Sequence, residues 1–464
     1  MKRSRAISAR VARLPLMLVR GFACAVLTMP VLGCGQTPTI SPSQELPVEA
    51  GTEGIADNPA APHLEATVRP ATKTNLVAGT RLSVLAERID NVAIVRSSAV
   101  QQVRAAEAEL QARRFDNYPQ IRPTASAPLA GGGSASIGLN IEQLIWDGGR
   151  IRARLSDAEL KIAEASLRAW AERNEAVLDG LEAYVNMARY EARIFELGRL
   201  REKLGEINTL LETRLAGGVA DRGELLRMNL ALQELQRRLV SDTAALRQAR
   251  TDFVRQLPDA NDTPALPDLR AAASQCSRVW PDSEAPADAL ARVTTARAEA
   301  SEGVVRAQRF PRVVLAGGIN YSQDGFSEPT IGIRLDASDM LGLGRQANLE
   351  AAEASSQAAA ASYALRKDET LADLARLEAN FNGLQSDAAS LRELVRQNEA
   401  TLDLYEEQLD AGSIALTDGI VLHREQSDAR ITLIDVEADI LLNCLSSSAR
   451  RGLLAKFEVI NDAS

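Results

Sequence analysis

The stretch Gln143-Leu144-Ile145-Trp146-Asp147-Gly148-Gly149-Arg150 separates two kinds of sequence, and the rest of the chain is read outward from it. Before it, Ile137, Leu139, Ile141 and Ile145 alternate with Ser136, Gly138, Asn140 and Glu142, the period of a strand with one apolar face. After it, Arg150 to Leu215 contains no proline and spaces its apolar residues at helical intervals. A helix of that length reaches about 100 Å, well beyond an ordinary globular helix. Leu197, Leu200, Leu204, Ile207 and Leu211 within it step by three and four, as in a coiled coil.

The same plan is written again 195 residues later. Gly344-Arg345 repeats Gly149-Arg150, Ala411-Gly412 repeats Ala216-Gly217, and Ile414-Ala415 repeats Val219-Ala220. Before the second pair, Ile331, Ile333 and Leu335 alternate with Gly332, Arg334 and Asp336, while Val313, Leu315, Ile319 and Tyr321 keep one parity on the strand before that. After it, Arg345 to Asp410 is again free of proline, with a heptad through Leu377, Phe381, Leu384, Ala388, Leu391, Val395, Leu402, Tyr405 and Leu409. The strands of each unit are joined by turn formers, Gly131-Gly132-Gly133 and Ser322 to Ser327, so the first hairpin is predicted from Ile121. Glycines at 217, 218 and 412 stop the long helices, and shorter ones are predicted from near Glu224 and Gly419. Shorter helices, Leu82 to Arg114 and Ala287 to Arg309, lead into the two hairpins.

The fold class expected is therefore mainly α with a small β part, in two internal repeats: 76–270 and 271–464, overlapping a proline-bounded linker at 257–286. Four strands cannot close a barrel or cover their own edges, so partners from other chains are required; three copies supply twelve. One apolar and one polar face suit lipid outside and water inside. A small soluble sheet packed beneath the helices is the competing reading of the same pattern.

Composition limits what such a chain can do. Only 4% of it is aromatic against 45% hydrophobic, which favours thin helical layers over a thick globular core. Six basic residues (Lys2, Arg3, Arg5, Arg10, Arg13, Arg20) precede an apolar run, Gly21 to Leu32, too short to span a bilayer, so 1–33 reads as a secretory signal. Val31-Leu32-Gly33-Cys34 resembles the bacterial lipobox, which makes Cys34 the expected lipid attachment site and 34–75, rich in Pro, Thr, Glu and Gly, a disordered tether. An ordinary signal cut nearby is the alternative. Loss of the signal moves the net charge from -9 to -15, which disfavours nucleic acid as a partner. His63 and His423 are the only histidines and neither has metal-ligand spacing; no catalytic, cofactor or metal residues are expected, and no enzyme.

The junction 143–150, with the turns Ala216 to Leu225 and Gly412 to Asp418, resembles the TolC outer-membrane factor family, in order and across Leu82 to Leu454. The resemblance implies a homotrimer with a twelve-stranded transmembrane β-barrel and a coiled-coil helical barrel through the periplasm of a Gram-negative bacterium. It implies partners too: outer-membrane lipid, a periplasmic adaptor (membrane fusion protein), and an inner-membrane pump that the channel serves passively in efflux or type I secretion. Gly217, Gly218, Val219, Gly412, Ser413 and Ile414 would then form adaptor-contacting tips, and Asp147, Gly148, Gly149, Arg150, Gly344 and Arg345 the strand-to-helix junctions. Asp418 matches an aspartate near the periplasmic aperture, although Val421 stands where a second acid can follow; a carboxylate set against the helix dipole is the other reading of Asp418. Cys276 and Cys444 are the thiols left after processing, either paired as a disulfide or free. The acidic chain predicts an acidic lumen and a mild cation preference. The rival of another class is a non-channel coiled-coil envelope lipoprotein acting as a scaffold, which gives the hairpins no purpose.

Overall fold

The computed structural model describes residues 81–126, 135–218, 221–258, 266–275, 284–322, 325–327, 329–337, 344–410 and 415–456, all within the compact unit Pro59–Ser464. The predicted signal and tether, Cys34, Cys276, Val219 and 412–414 lie outside the described residues. In chain order the elements are α1 (Arg81–Arg96), α2 (Ser98–Arg114), β1 (Gln120–Ser126), β2 (Ser136–Trp146), α3 (Arg150–Ala216), α4 (Arg222–Gln256), α5 (Leu269–Ser274), α6 (Pro286–Ala307), β3 (Arg312–Ser322), β4 (Gly325–Phe326), β5 (Thr330–Asp336), α7 (Arg345–Asp410) and α8 (Leu416–Arg450). The expected class is borne out: mainly helical, with one small sheet.

The expected single helix Leu82 to Arg114 is two. Ser97 takes extended backbone, its hydroxyl accepts from the Ala99 amide at 3.2 Å, and the same hydroxyl donates to Glu172 Oε2 at 3.0 Å. A serine that caps the next helix offers the backbone an alternative to continuing the last one.

The lower heptad of α3 behaves as its spacing requires. Leu197, Leu200, Leu204, Ile207 and Leu211 are all buried, against Met228, Ala231 and Leu235 of α4 on one side and Leu416, Ile420 and Ile431 of α8 on the other. Further along, Leu181 and Tyr184 of α3 join Leu85 and Ile89 of α1, Phe253 of α4, and Leu441 and Leu445 of α8 in the largest core, where the Tyr184 and Phe253 rings lie 5.7 Å apart. In α7 the heptad is covered throughout: Phe381, Ala388, Leu402 and Tyr405 are buried and Leu377, Leu384, Leu391, Val395 and Leu409 half-buried, while Leu365, Leu371, Leu394 and Leu404, off the heptad, stay exposed.

Arginines tie these layers together. Arg193 on α3 reaches Asp242 on α4 at 3.0 and 3.1 Å and Asp435 on α8 at 2.7 Å. Arg430 on α8 reaches Glu196 on α3 at 3.0 Å and Glu399 on α7 at 2.7 Å. The deepest pair is Arg173 on α3 with Asp90 on α1, two bonds of 2.7 Å between buried groups, a two-pronged match of guanidinium to carboxylate. The segment after α8 folds across the same place: Asn174 donates to Ala449 O at 2.7 Å and accepts from Leu454 N at 3.1 Å, and Trp170 Nε1 donates to Ala455 O at 3.0 Å.

The sheet runs β1-β2-β3-β5, antiparallel throughout, with the short β4 returning on the end of β3. Each predicted hairpin is present, and β2 pairs with β3 from Ser136↔Ser322 to Trp146↔Val313, so the two repeats share one sheet. The first hairpin, predicted from Ile121, begins at Gln120, and β1 is described to Ser126, with Pro123 on an edge strand where its missing N–H is tolerated.

Candidate functional site

The register places the odd-numbered residues of 121–125, 137–141, 313–321 and 331–335 on one face of the sheet. Ile121 faces Ile141, Leu139 faces Ile319, Leu315 faces Ile333, and Gly317 faces Ile331. This face is apolar and open: Ile331 is 80% exposed, Ile333 72% and Ile137 66%. A two-against-one bulge between Leu144 and Trp146 shifts the parity, so Trp146 pairs with Val313 and joins the apolar face while Ile145 is the extra residue. Pure alternation across Ile145, as read from the sequence, stops one residue early for that reason.

Aromatic residues gather at the two ends of the strands. At the helical end Trp146 meets Phe310 edge-on at 5.7 Å, with Phe115 and Tyr118 5.8 Å apart nearby in sequence; at the other end Tyr321 and Phe326 are 4.8 Å apart. Ring-bearing side chains flanking an apolar band mark the two water interfaces of a membrane strand.

The even-numbered face is polar. Towards the hairpin ends it carries Thr124, Ser126, Ser136, Asn140, Asn320, Ser322 and Thr330 and, among the described residues, no charge. Asn320 lies over Gly138 and Asn140 over Gly318, so tightly that a Cβ added to either glycine would fall 2.0 Å and 2.6 Å from the amide oxygen. The amides thus lie flat against the sheet and keep that side clear. Near the helical end Glu142 is held by Arg334 at 2.5 Å and Arg122 at 3.4 Å.

The junction 147–150 is built for a sharp turn. Asp147 accepts from the Gly149 amide at 2.9 Å and from the Ile151 amide at 2.7 Å, starting α3, and Gly148 and Gly149 take φ of 70° and 91°. A Cβ on Gly148 would sit 2.6 Å from that of Phe310. Arg150 is buried and donates to Phe310 O at 2.8 Å, which pins the end of α6 and with it the start of β3. Gly344 and Arg345 stand at the start of α7 as expected, but Arg345 is only half-buried.

At the far ends of the long helices, Gly217 donates to Thr213 O at 3.1 Å and Gly218 turns with φ of 71°, after which Asp221 caps α4. At the other hairpin Asp418 is exposed in the first turn of α8, and the Tyr405 ring lies on Gly419, its hydroxyl 3.4 Å from Ala415 O. Burial pushes the Tyr405 hydroxyl up. A polar cavity of about 410 Å³ lies between α3, α7 and α8, lined by carboxylates of Glu202, Glu206, Asp403 and Glu406 with His423 and Ser427. Burial pushes the His423 imidazole down; Lys203 adds to this, and Glu406 and Glu206 oppose it. Among the described residues no group of His, Cys, Asp and Glu has the arrangement of a metal site, and no helix is long and apolar enough to cross a membrane.

Residues 285–445 match the family model described as outer membrane efflux protein. The fold is similar to CusC, whose structures describe transmembrane channel formation (TM-score 0.69, 17% identity, 80% of this chain and 92% of that one). It is similar as well to the outer membrane protein VceC of Vibrio cholerae (0.68, 18%, 82% and 97%) and to the open state of the MtrE outer membrane channel of Neisseria gonorrhoeae (0.60, 17%, 81% and 89%). The chain has the fold of the TolC-like outer-membrane factors. Compared by sequence with curated proteins, it has no match.

Within the outer-membrane-factor fold, the residues singled out from sequence fall into separate groups. The junction residues 147–150 come together with Phe310; Gly217, Gly218 and Asp418 lie at the opposite ends of the long helices, and the other tip residues are outside the described residues. The Arg122–Glu142–Arg334 cluster went unnoticed in the sequence because its members sit on three strands, and only the pairing of β1, β2, β3 and β5 brings them within reach of one another, Arg122 and Arg334 each two residues out of register with Glu142.

Proposed function

We propose that the chain is one third of an outer-membrane exit channel that passively conducts substrates delivered by an inner-membrane pump through a periplasmic adaptor. The observation that carries this is the sheet: most of its apolar face is exposed, and among the described strands β1 and β5 are each paired on one side only. Open strand edges and an unburied apolar face are unstable in water, and three chains joined β1 to β5 remove both defects with a closed twelve-stranded barrel. The exposed leucines of α7 and those of α4, Leu226 and Leu230, would be covered by neighbouring chains in the same ring. Gly217, Gly218 and Val219, with Gly412, Ser413 and Ile414, are proposed as adaptor contacts and Asp418 as part of the aperture. Cys34 is proposed as the lipid anchor in the outer membrane of a Gram-negative bacterium, and Cys276 as the disulfide partner of Cys444.

Native mass measurement of the detergent-extracted protein, paired with conductance in a planar bilayer, tests this reading. A conducting trimer is expected. A monomer that leaves the cell without detergent and never conducts would return the chain to the scaffold reading.

A further inference from the structure

The acidity of the chain as a whole predicts a cation-preferring lumen, yet the polar face of the sheet has the opposite bias. Among the described residues its charged groups are Arg122, Arg312 and Arg334 against Glu142 and Asp336, and all five lie near the helical end of the strands. Arg312 and Asp336 stand opposite one another in the register. The remaining three form a chain with one carboxylate between two guanidiniums, Arg122 at 3.4 Å and Arg334 at 2.5 Å from Glu142. Glu142 is 19% exposed and both its neighbours remain open, 64% for Arg122 and 55% for Arg334. One positive charge per chain is therefore uncompensated at this level.

The position of the two arginines matters more than their number. Arg122 is the third residue of β1 counted from the helical end, and Arg334 is the third residue of β5 counted from the same end. β1 and β5 are the two edge strands, and they run in opposite directions. If neighbouring chains close the ring by pairing these edges flush, as proposed above, Arg122 of one chain meets Arg334 of the next across each seam. Each already shares Glu142 of its own chain on the other side. Two guanidiniums side by side on a water-filled surface repel one another and leave donors aimed at the same space, the arrangement that an oxyanion satisfies two prongs at a time.

We propose that each of the three seams forms an oxyanion site from Arg122 and Arg334, and that the pore selects carboxylate-, sulfate- or phosphate-bearing solutes over cations at this level. The proposal rests on the closed-barrel reading. It makes the lumen electrostatically two-part: a guanidinium belt at the base of the barrel, with uncharged hydroxyl and amide groups above it.

Reversal potential in a potassium chloride gradient, together with sulfate titration of the current, tests it on full-length trimers in planar bilayers. Changing Arg122→Gln with Arg334→Gln is expected to raise the potassium-to-chloride permeability ratio about twofold or more, and to raise the sulfate concentration for half block about tenfold. Glu142→Gln is expected to shift both in the opposite direction. If the double change prevents assembly, Arg122→Lys replaces it: lysine keeps the charge and loses the two-pronged geometry, so block by sulfate weakens while the reversal potential stays. Wild-type and arginine-variant trimers that conduct with the same reversal potential and the same sulfate response overturn the seam site and leave the channel standing. A wild-type protein that forms no conducting trimer overturns the channel and the seam site together.

Discussion

Single residues fix the places where the long helices cannot slide. Asp90 and Arg173 form a buried pair in which each is the other's main source of compensation, so Asp90→Ala leaves a guanidinium stranded in the core. A loss of about 3–5 kcal/mol is expected, read as a lowered thermal midpoint, and adding Arg173→Met should recover part of it. His423 gives a pH dependence. Its imidazole is held below its ordinary value by burial, so the unfolded chain binds the proton more readily than the folded one. Its contribution is complete above the unfolded value near 6.5 and is lost as pH falls from there through the lowered folded value. His423→Gln should flatten the fall in thermal midpoint over that window; an unchanged slope would assign the acid sensitivity to other groups. Neither residue was legible in the sequence: Asp90 and Arg173 look like two surface charges on amphipathic helices until α1 is laid against α3.

Among the elements, the long helices were the most readable and the sheet the most instructive in its departures. The heptads at Leu197–Leu211 bury as their spacing demands, because a repeat of three and four puts one stripe on one side whatever it packs against. The break at Ser97 and the bulge at Ile145 were not readable, since both depend on groups distant in sequence: Glu172 in the first case and the β3 partner in the second. The exposed leucines of α7, Leu365, Leu371, Leu394 and Leu404, lie off the heptad, so its periodicity did not point to them. Cys444 on α8 is disulfide-bonded, and the other three cysteines lie outside the described residues. With Cys276 as its partner, the bond would clip the linker between the repeats to the last helix. The intact protein should then weigh about two mass units less than its reduced form, and Cys444→Ser should cost about 2–4 kcal/mol of stability under oxidising conditions. A mass difference on reduction that persists in Cys276→Ser would assign Cys444 another partner.

For the whole molecule, the apolar face of the sheet should tolerate charge poorly and the polar face well. Ile333→Arg places a guanidinium on the proposed lipid side and is expected to cost about 2–4 kcal/mol per chain, enough to shift extracted protein from trimer to monomer on native electrophoresis. Thr124→Arg, on the opposite face, should leave the trimer intact. The fold class followed from alternation and turn chemistry, whereas the charge pattern on the polar face of the sheet did not, because register is a property of paired strands. That register also dictates an order of events. Ser136 bonds alongside Ser322, so the middle of the sheet cannot form until everything from α3 to α6 has been made and folded back. Contacts of such long reach are slow to close, and the helices must act first as the jig that brings β2 to β3. A chain halted after its first repeat would hold one hairpin with two bare edges, and even a finished chain would wait with its membrane surface uncovered. In the proposed channel, assembly into lipid would then wait until translation is complete and three copies meet, leaving the chain a window for crossing an aqueous compartment before it commits to a membrane.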